Sequence, residues 1–279
     1  MTTPLLAVSD LSFGYDPGHP VLRGVDLTVP EGQRLAVVGP NGGGKTTLFR
    51  LIVGALTPTG GRILLDGHPV RRDRRGLLAL RQQVQLVLQD PDDQLFAASV
   101  WQDVSFGPTN LGLPTAEVHD RVTGALAALG ITGLADRPTH LLSFGQRKRT
   151  AIAGAVAMRP ELLILDEPTA GLDPTGVEAL LDTLAALHAA GTTLVLSTHD
   201  VDLAYRWATH VAIVADHGVH QATAAQALTD TALLARAHLT PAWAPLVDRL
   251  LAHAGITDTV TTPMHLAALL ATDAGTTAS

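Results

Sequence analysis

The chain has 279 residues, no cysteine and a formal net charge of −7 at neutral pH. With 46% apolar and 16% charged residues it suits a folded domain with an appendix and excludes a disordered chain. The acidic balance argues against sequence-independent nucleic-acid binding, and the lack of cysteine excludes disulfide and thiol chemistry while remaining compatible with a reducing cytosol.

The opening segment, "MTTPLLAVSDLSF", has no basic stretch ahead of a long apolar run, so no secretory signal is expected. No apolar run reaches the ~18 residues that a spanning helix needs. The chain is therefore expected to be soluble by itself and to meet a membrane only through partners. In the first 70 residues "LAVSDLSFGY", "LRGVDLTV" and "GRILLDGHPV" alternate apolar and polar residues around Gly, Asp and Pro turns, which predicts an antiparallel side sheet. Tyr15 lies in the turn "FGYDPGHP", where an aromatic ring can stack on a planar base or pack against the side sheet.

"RLAVVG" (34–39) reads as a buried strand, and it runs into "GPNGGGKTT" (39–47). That stretch fits G-x-x-x-x-G-K-[ST] through Gly39, Gly44, Lys45 and Thr46, and "TLFRLIVG" behind it reads as a helix. Strand, Gly-rich loop and helix together separate a phosphate loop from a merely flexible turn. Glycines let backbone N–H groups turn inward around phosphate oxygens, and the helix N-terminus adds a favourable dipole. Lys45 is placed for β- and γ-phosphates and the Thr46 hydroxyl for Mg²⁺. This loop alone does not separate a kinase, a GTPase and an ATPase, although no guanine-reading N-K-x-D stretch is present.

"VQLVLQ" (84–89) is the next expected strand, ending on Gln89. Residues 92–157 read as a mainly helical block between core strands. Within it, "HLLSFGQRKRT" (140–150) places Ser143 and Gln146 in an S-x-x-Q capping box. Gly145 falls in the first turn, where a helix prefers a side chain, and so permits close approach to the backbone. The run "RKR" (147–149) is expected to be a solvated face. Phe144 either packs within the helical block or faces a partner. "LLILDEPTAGLDP" (162–174) ends a hydrophobic strand on Asp166 and Glu167, at the sheet edge where ligands of parallel sheets bind. Asp166 suits the Mg²⁺ shell, and Glu167, on the other side of the extended chain, can polarise an attacking water. "TLVLST" (193–198) leads to His199, and "VAIVA" (211–215) is the last expected core strand. A lone Gln or His at a strand end is ordinarily structural, but Gln89 and His199 fall at the same edge as Lys45 and Asp166. The 12 histidines form no ligand-spaced cluster. After about residue 222 the composition shifts to Ala, Thr and Leu without sharp motifs.

Taken in order, "GPNGGGKTT", Gln89, "LSFGQ" (142–146), "LLILDEP", "GLD" (171–173) and His199 resemble the ATP-binding subunits of ABC transporters over residues 5 to about 222. "LVLQDPDDQLFAASVWQDVSFGPTNLGLP" (86–114) and "LSFGQRKRTAIAGAVAM" narrow the resemblance to energy-coupling-factor importer ATPases, especially the cobalt/nickel type. Phe144 stands where most ABC ATPases carry glycine. The resemblance implies that Tyr15 stacks adenine. It implies that Gly39, Pro40, Asn41, Gly42, Gly43, Gly44, Lys45, Thr46 and Thr47 hold the phosphates. Gln89 would sense Mg²⁺ and the γ-phosphate and link to a membrane partner. Asp166 would serve Mg²⁺, Glu167 would be the general base and His199 would stabilise the γ-phosphate. Ser143, Gly145 and Gln146 would meet ATP held by a second subunit, and Asp173 would cross that interface.

The expected fold is α/β, a P-loop NTPase core with a mostly parallel sheet, an N-terminal antiparallel β-subdomain and an inserted helical lobe at about 92–157. Residues 1–222 form the expected ATPase domain and 223–279 a C-terminal helical extension. The expected activity is ATP hydrolysis with Mg²⁺ at the cytoplasmic face of the cell membrane, powering uptake of a small nutrient, cobalt or nickel ion first. Expected partners are a transmembrane coupling protein, a solute-binding membrane protein and a second ATPase subunit, identical or not, with no nucleic acid. Energy coupling for vitamin uptake, or a soluble ABC ATPase outside transport, are the alternatives.

Overall fold

The computed structural model describes residues 3–253 and Leu266. Strands β1 (Leu6–Phe13) and β2 (Leu22–Val29) are followed by β3 (Arg34–Val38), helix α1 (Lys45–Ile52), β4 (Gly60–Leu65) and β5 (His68–Pro69). Helix α2 (Arg74–Gln83) and β6 (Val84–Val87) precede three helices, α3 (Val100–Asn110), α4 (Thr115–Ala128) and α5 (Phe144–Ala157). Then come β7 (Leu162–Leu165), α6 (Pro174–Ala189), β8 (Thr193–Thr198), α7 (Val201–Trp207), β9 (His210–Ala215) and β10 (Gly218–Thr223). The described C-terminal helices are α8 (Ala224–Ala227), α9 (Thr231–Arg236) and α10 (Trp243–His253).

The strands form two sheets. Four strands of the first 70 residues make an antiparallel sheet in the order β2-β1-β4-β5. The core sheet has six strands in the order β10-β9-β3-β8-β7-β6. Its pairs are parallel except β9 with β10. The core strands read as unbroken apolar runs because both of their faces are covered. In β3, Leu35 and Val37 enter the cluster shared with the side sheet and α1, whereas Ala36 and Val38 enter the cluster shared with α3, α4, α5, α6 and α7. In β7 the same alternation sends Leu162 and Ile164 one way and Leu163 and Leu165 the other. Burying each large aliphatic side chain of this kind contributes about 1.5–3 kcal/mol, so β3 and β7 are rigid bases for whatever stands on their ends.

Two differences from the sequence reading have local causes. The expected strand 84–89 stops at Val87, because the Leu88 N–H goes to Gln94 Oε1 at 3.1 Å instead of to a ladder partner. Gln89 therefore sits in the bend beyond β6. Strand β10 was not anticipated from its sequence. It is an edge strand with no fully buried residue, so it carries no apolar run. The C-terminal segment packs onto the core, with Leu228, Leu234, Ala237 and Ala242 in the same apolar cluster as β9 and α7. The part of the expected extension at 254–265 and 267–279 lies outside the described residues.

Candidate functional site

The site is built on the carboxyl ends of β3, β6, β7 and β8, the edge where open parallel sheets bind ligands. After β3 the chain turns into α1 through Gly44, which is the helix N-cap at φ 102°. A side chain is disfavoured at that dihedral, and a Cβ there would also stand 3.1 Å from Leu22 Cδ2. The glycine thus lets α1 begin with its N–H groups turned towards the loop. Lys45, 6% exposed, folds back over the loop and donates to the carbonyls of Gly39 at 2.8 Å and Pro40 at 3.1 Å.

Asp166 and Glu167 follow β7 directly and both are buried. Asp166 Oδ2 accepts from the Thr46 hydroxyl at 2.6 Å. Its Oδ1 accepts from the Ser197 hydroxyl at 2.5 Å. Glu167 Oε1 lies 3.3 Å from Lys45 Nζ, and Oε2 lies 3.1 Å from His199 Nδ1. Glu167 N–H donates to Ser197 Oγ at 2.8 Å. Lys45, Thr46, Asp166, Glu167 and His199, far apart in the chain, thus form one connected cluster. His199 keeps 60% of its side chain exposed, so its ring is held by Glu167 while still open to a ligand.

A cleft of about 470 Å³ runs over this cluster, lined by Tyr15, the phosphate loop, Gln89, Asp166 and Glu167. That size is in the range of ligand-binding clefts. Tyr15 is 58% exposed, packs edge-on against Phe13 with centroids 5.0 Å apart and places its hydroxyl 3.2 Å from Thr47 Oγ1. Asn41, Gly42 and Gly43 line the same cleft. Among the described residues no group of three or more His, Asp or Glu can cage a metal ion. A Mg²⁺ bound here therefore relies on few protein ligands and on phosphate oxygens, its usual mode. Thr46 and Asp166 present hard oxygens side by side, and Glu167 Oε1 is buried without a hydrogen bond. These oxygen donors fit a hard divalent cation or its water.

The structure does not bring every expected residue to that cleft. Ser143, Gly145 and Asp173 line a second cleft of about 380 Å³ between α5 and α6. Ser143 Oγ accepts from the Gln146 N–H at 3.3 Å, and Gln146 Oε1 accepts from the Ser143 N–H at 3.0 Å, completing the capping box. Asp173 caps α6 by accepting from the Gly176 N–H at 2.6 Å. Between the two clefts, Phe144 rests on Gly171, whose φ is +76° and where an added Cβ would stand 2.7 Å from Phe144 Cε1. Phe144 thus packs on the turn after Asp166 and Glu167 and stays partly exposed.

The run 147–149 is not a solvated face. Lys148 is 1% exposed and donates to the carbonyls of Glu167 and Ala170, each at 3.0 Å. Burial pushes its ammonium down to about 8, against the pull of Glu167, Asp90 and Asp166. Arg147 pairs with Asp92 at 2.8 Å and donates to the Leu142 carbonyl at 2.7 Å. Sequence reasoning missed Lys148 and Ser197 as parts of the site. For Ser197 a weak signal existed, a hydroxyl following the apolar run Leu194–Leu196, two residues before His199.

A sequence profile described as "ABC transporter" matches residues 22–170 of this chain. The cobalt import ATP-binding protein CbiO of Rhodobacter capsulatus is 54% identical, covering 88% of this chain and 87% of its own length. The energy-coupling factor transporter ATP-binding protein EcfA of Methanocaldococcus jannaschii is 44% identical over 84% of this chain and 85% of its own. Among solved structures, cbiO1 from Clostridium perfringens, described as part of the ABC transporter complex cbiONQ, superposes with a TM-score of 0.76 at 41% identity, covering 89% of this chain and 99% of its own.

Proposed function

The chain belongs to the ABC transporter ATP-binding family, and from that membership we propose that it is the ATP-hydrolysing subunit of a membrane importer for a small nutrient, cobalt or nickel ion first. The observation that carries the reading is the cluster of Lys45, Thr46, Asp166, Glu167 and His199 in a chain 54% identical to a cobalt import ATPase. Among the described residues no helix is long and apolar enough to cross a membrane. As its relatives are ATP-binding subunits of import systems, the chain is placed at the cytoplasmic face, acting peripherally through membrane partners.

In the mechanism, Tyr15 stacks the adenine and the loop at 39–47 wraps the phosphates. Lys45 exchanges Glu167 for β- and γ-phosphate oxygens, which frees Glu167 Oε1 for the attacking water. Glu167 takes the proton of that water as it attacks the γ-phosphorus in line, while the bond from that phosphorus to the β–γ bridging oxygen breaks and ADP leaves with the electron pair. His199, oriented by Glu167 Oε2, donates to a γ-phosphate oxygen. Positioning and charge neutralisation supply most of the rate. Thr46, Asp166 and Gln89 would hold Mg²⁺, which would supply neutralisation of the developing phosphate charge. Ser143 and Gly145 read the γ-phosphate bound by a second ATPase subunit, so two subunits close over two ATP molecules.

Closure reaches the membrane through the segment after Gln89. That segment is stiff. Asp103 Oδ2 accepts the N–H groups of Phe96 and Ala97 at 2.9 Å each, and Thr139 Oγ1 donates to the Ala97 carbonyl at 2.6 Å. Its Phe96 forms an exposed aromatic pair with Phe106 of α3, with centroids 4.6 Å apart. Such a pair suits the apolar side of a transmembrane coupling protein.

Uptake of labelled cobalt and nickel by cells carrying the complete importer tests the proposal. Wild-type cells are expected to accumulate one of these ions, and cells with Glu167→Gln to fall to background. Equal uptake of both ions in the two strains would remove this chain from cobalt and nickel import.

A further inference from the structure

Lys148 has a place that ATP binding and hydrolysis, as described above, leave unused. It rises from the second turn of α5 into the turn that follows β7. An ammonium has three donors and no acceptor. Two donors of Lys148 are committed to the carbonyls of Glu167 and Ala170. The third side faces the ring of Phe144, whose centroid is 5.5 Å away, a distance at which a cation is attracted by the ring. A buried ammonium is costly unless so satisfied, and here every partner but Phe144 belongs to the catalytic turn.

That turn needs holding. Glu167 has φ 44°, a left-handed conformation that is disfavoured for a residue with a side chain. Its peptide groups are pinned on both sides. Ser197 takes the N–H, and the carbonyl accepts from both Lys148 and the Ala170 N–H, the latter at 3.1 Å. The direction of the Glu167 side chain towards Lys45 and His199 follows from that backbone setting. One end of α5 carries Ser143 and Gly145, and the same helix, through Lys148, grips the backbone of Glu167.

We propose that Lys148 is a positioning residue for the general base, coupling the N-terminal end of α5 to the carboxylate of Glu167 within one subunit. The inference rests on Glu167 acting as the base. When a nucleotide held by the second subunit engages the start of α5, any shift of that helix is passed through two hydrogen bonds to the turn at 167–170. Each subunit thereby senses its neighbour's ATP and orients its own base in response. Phe144 and Gly171 belong to the same link, because the ring that covers the ammonium also rests on the turn.

The test compares Lys148→Met, Lys148→Gln and Lys148→Arg with wild type, each purified with its membrane partners. ATP binding, kcat, KM and thermal unfolding are measured for all four. The expected result is a kcat at least about ten-fold lower in Lys148→Met, with ATP affinity and KM within about two-fold of wild type. Lys148→Arg and Lys148→Gln, which keep donors for the two carbonyls, should recover a substantial part of that loss. The inference is overturned if folded Lys148→Met turns over ATP at the wild-type rate. It is overturned equally if ATP affinity falls in step with kcat, if Lys148→Arg and Lys148→Gln fail as completely as Lys148→Met, or if only unfolding changes. A wild-type complex that does not hydrolyse ATP would instead remove the catalytic reading on which the inference stands.

Discussion

Asp202 shows how a single carboxylate ties the C-terminal segment to the catalytic core. Its Oδ1 accepts the Trp243 N–H at 2.8 Å, from the first turn of α7, three residues past His199. Burial pushes its carboxyl above the ordinary range, the Trp243 N–H opposes the shift, and the nearby Asp200 charge adds to it. A carboxyl whose folded value lies above its unfolded one binds more protons in the folded state between the two. The charged form is therefore a net cost at neutral pH, and stability contributed by protonation is lost as pH rises through that window. Asp202→Asn keeps the acceptor and removes the charge. It is expected to unfold at a higher temperature than wild type near pH 7, with the advantage vanishing below about pH 3, where Asp is protonated in both states. A lower unfolding temperature at pH 7 would contradict this. At the same scale, Lys45, Thr46, Asp166, Glu167 and His199 were legible because each stands at a fixed offset from an apolar strand end. Lys148 was not. A charge run is ordinarily solvated, and the carbonyls that draw Lys148 inward belong to Glu167 and Ala170, 19 and 22 residues away. Nothing in the local pattern records them.

Helix α5 serves two purposes with one set of residues. Its capping box fixes where the helix begins, and the same start is proposed to read a phosphate. Those roles can be separated. Ser143→Ala is expected to cost about 1 kcal/mol of stability through the lost cap and to lower turnover. Ser143→Asn, a comparable cap, should restore the unfolding temperature but not the rate. Full recovery of both would reduce Ser143 to a helix cap. The capping box was visible as S-x-x-Q, and the unbroken core strands were visible because burial on both faces removes alternation. Element ends were less so, because side chains decide them. Gln94 ends β6 by taking the Leu88 N–H, and Asp173 starts α6 by taking the Gly176 N–H. Edge strand β10, half-exposed throughout, left no apolar signal to read.

Across the whole molecule, the two clefts are the central fact. One holds Lys45, Gln89, Asp166 and Glu167, and the other holds Ser143, Gly145 and Asp173. The two clefts share no lining residue, in keeping with a proposed working unit of two subunits, each completing the other's site. The sequence carried both halves as ordered motifs. It could not carry the turn between them, where Phe144 lies on Gly171 and Lys148 donates to the Glu167 carbonyl. The chemical claim beneath all of this is that Glu167 is the general base of ATP hydrolysis. It is tested most directly by measuring ATP binding and ATP turnover on the same preparations of wild-type and Glu167→Gln complex. The account predicts binding within a few-fold of wild type and turnover lowered by at least about a hundred-fold, the scale of a lost general base. Turnover near the wild-type rate with ATP bound would contradict it.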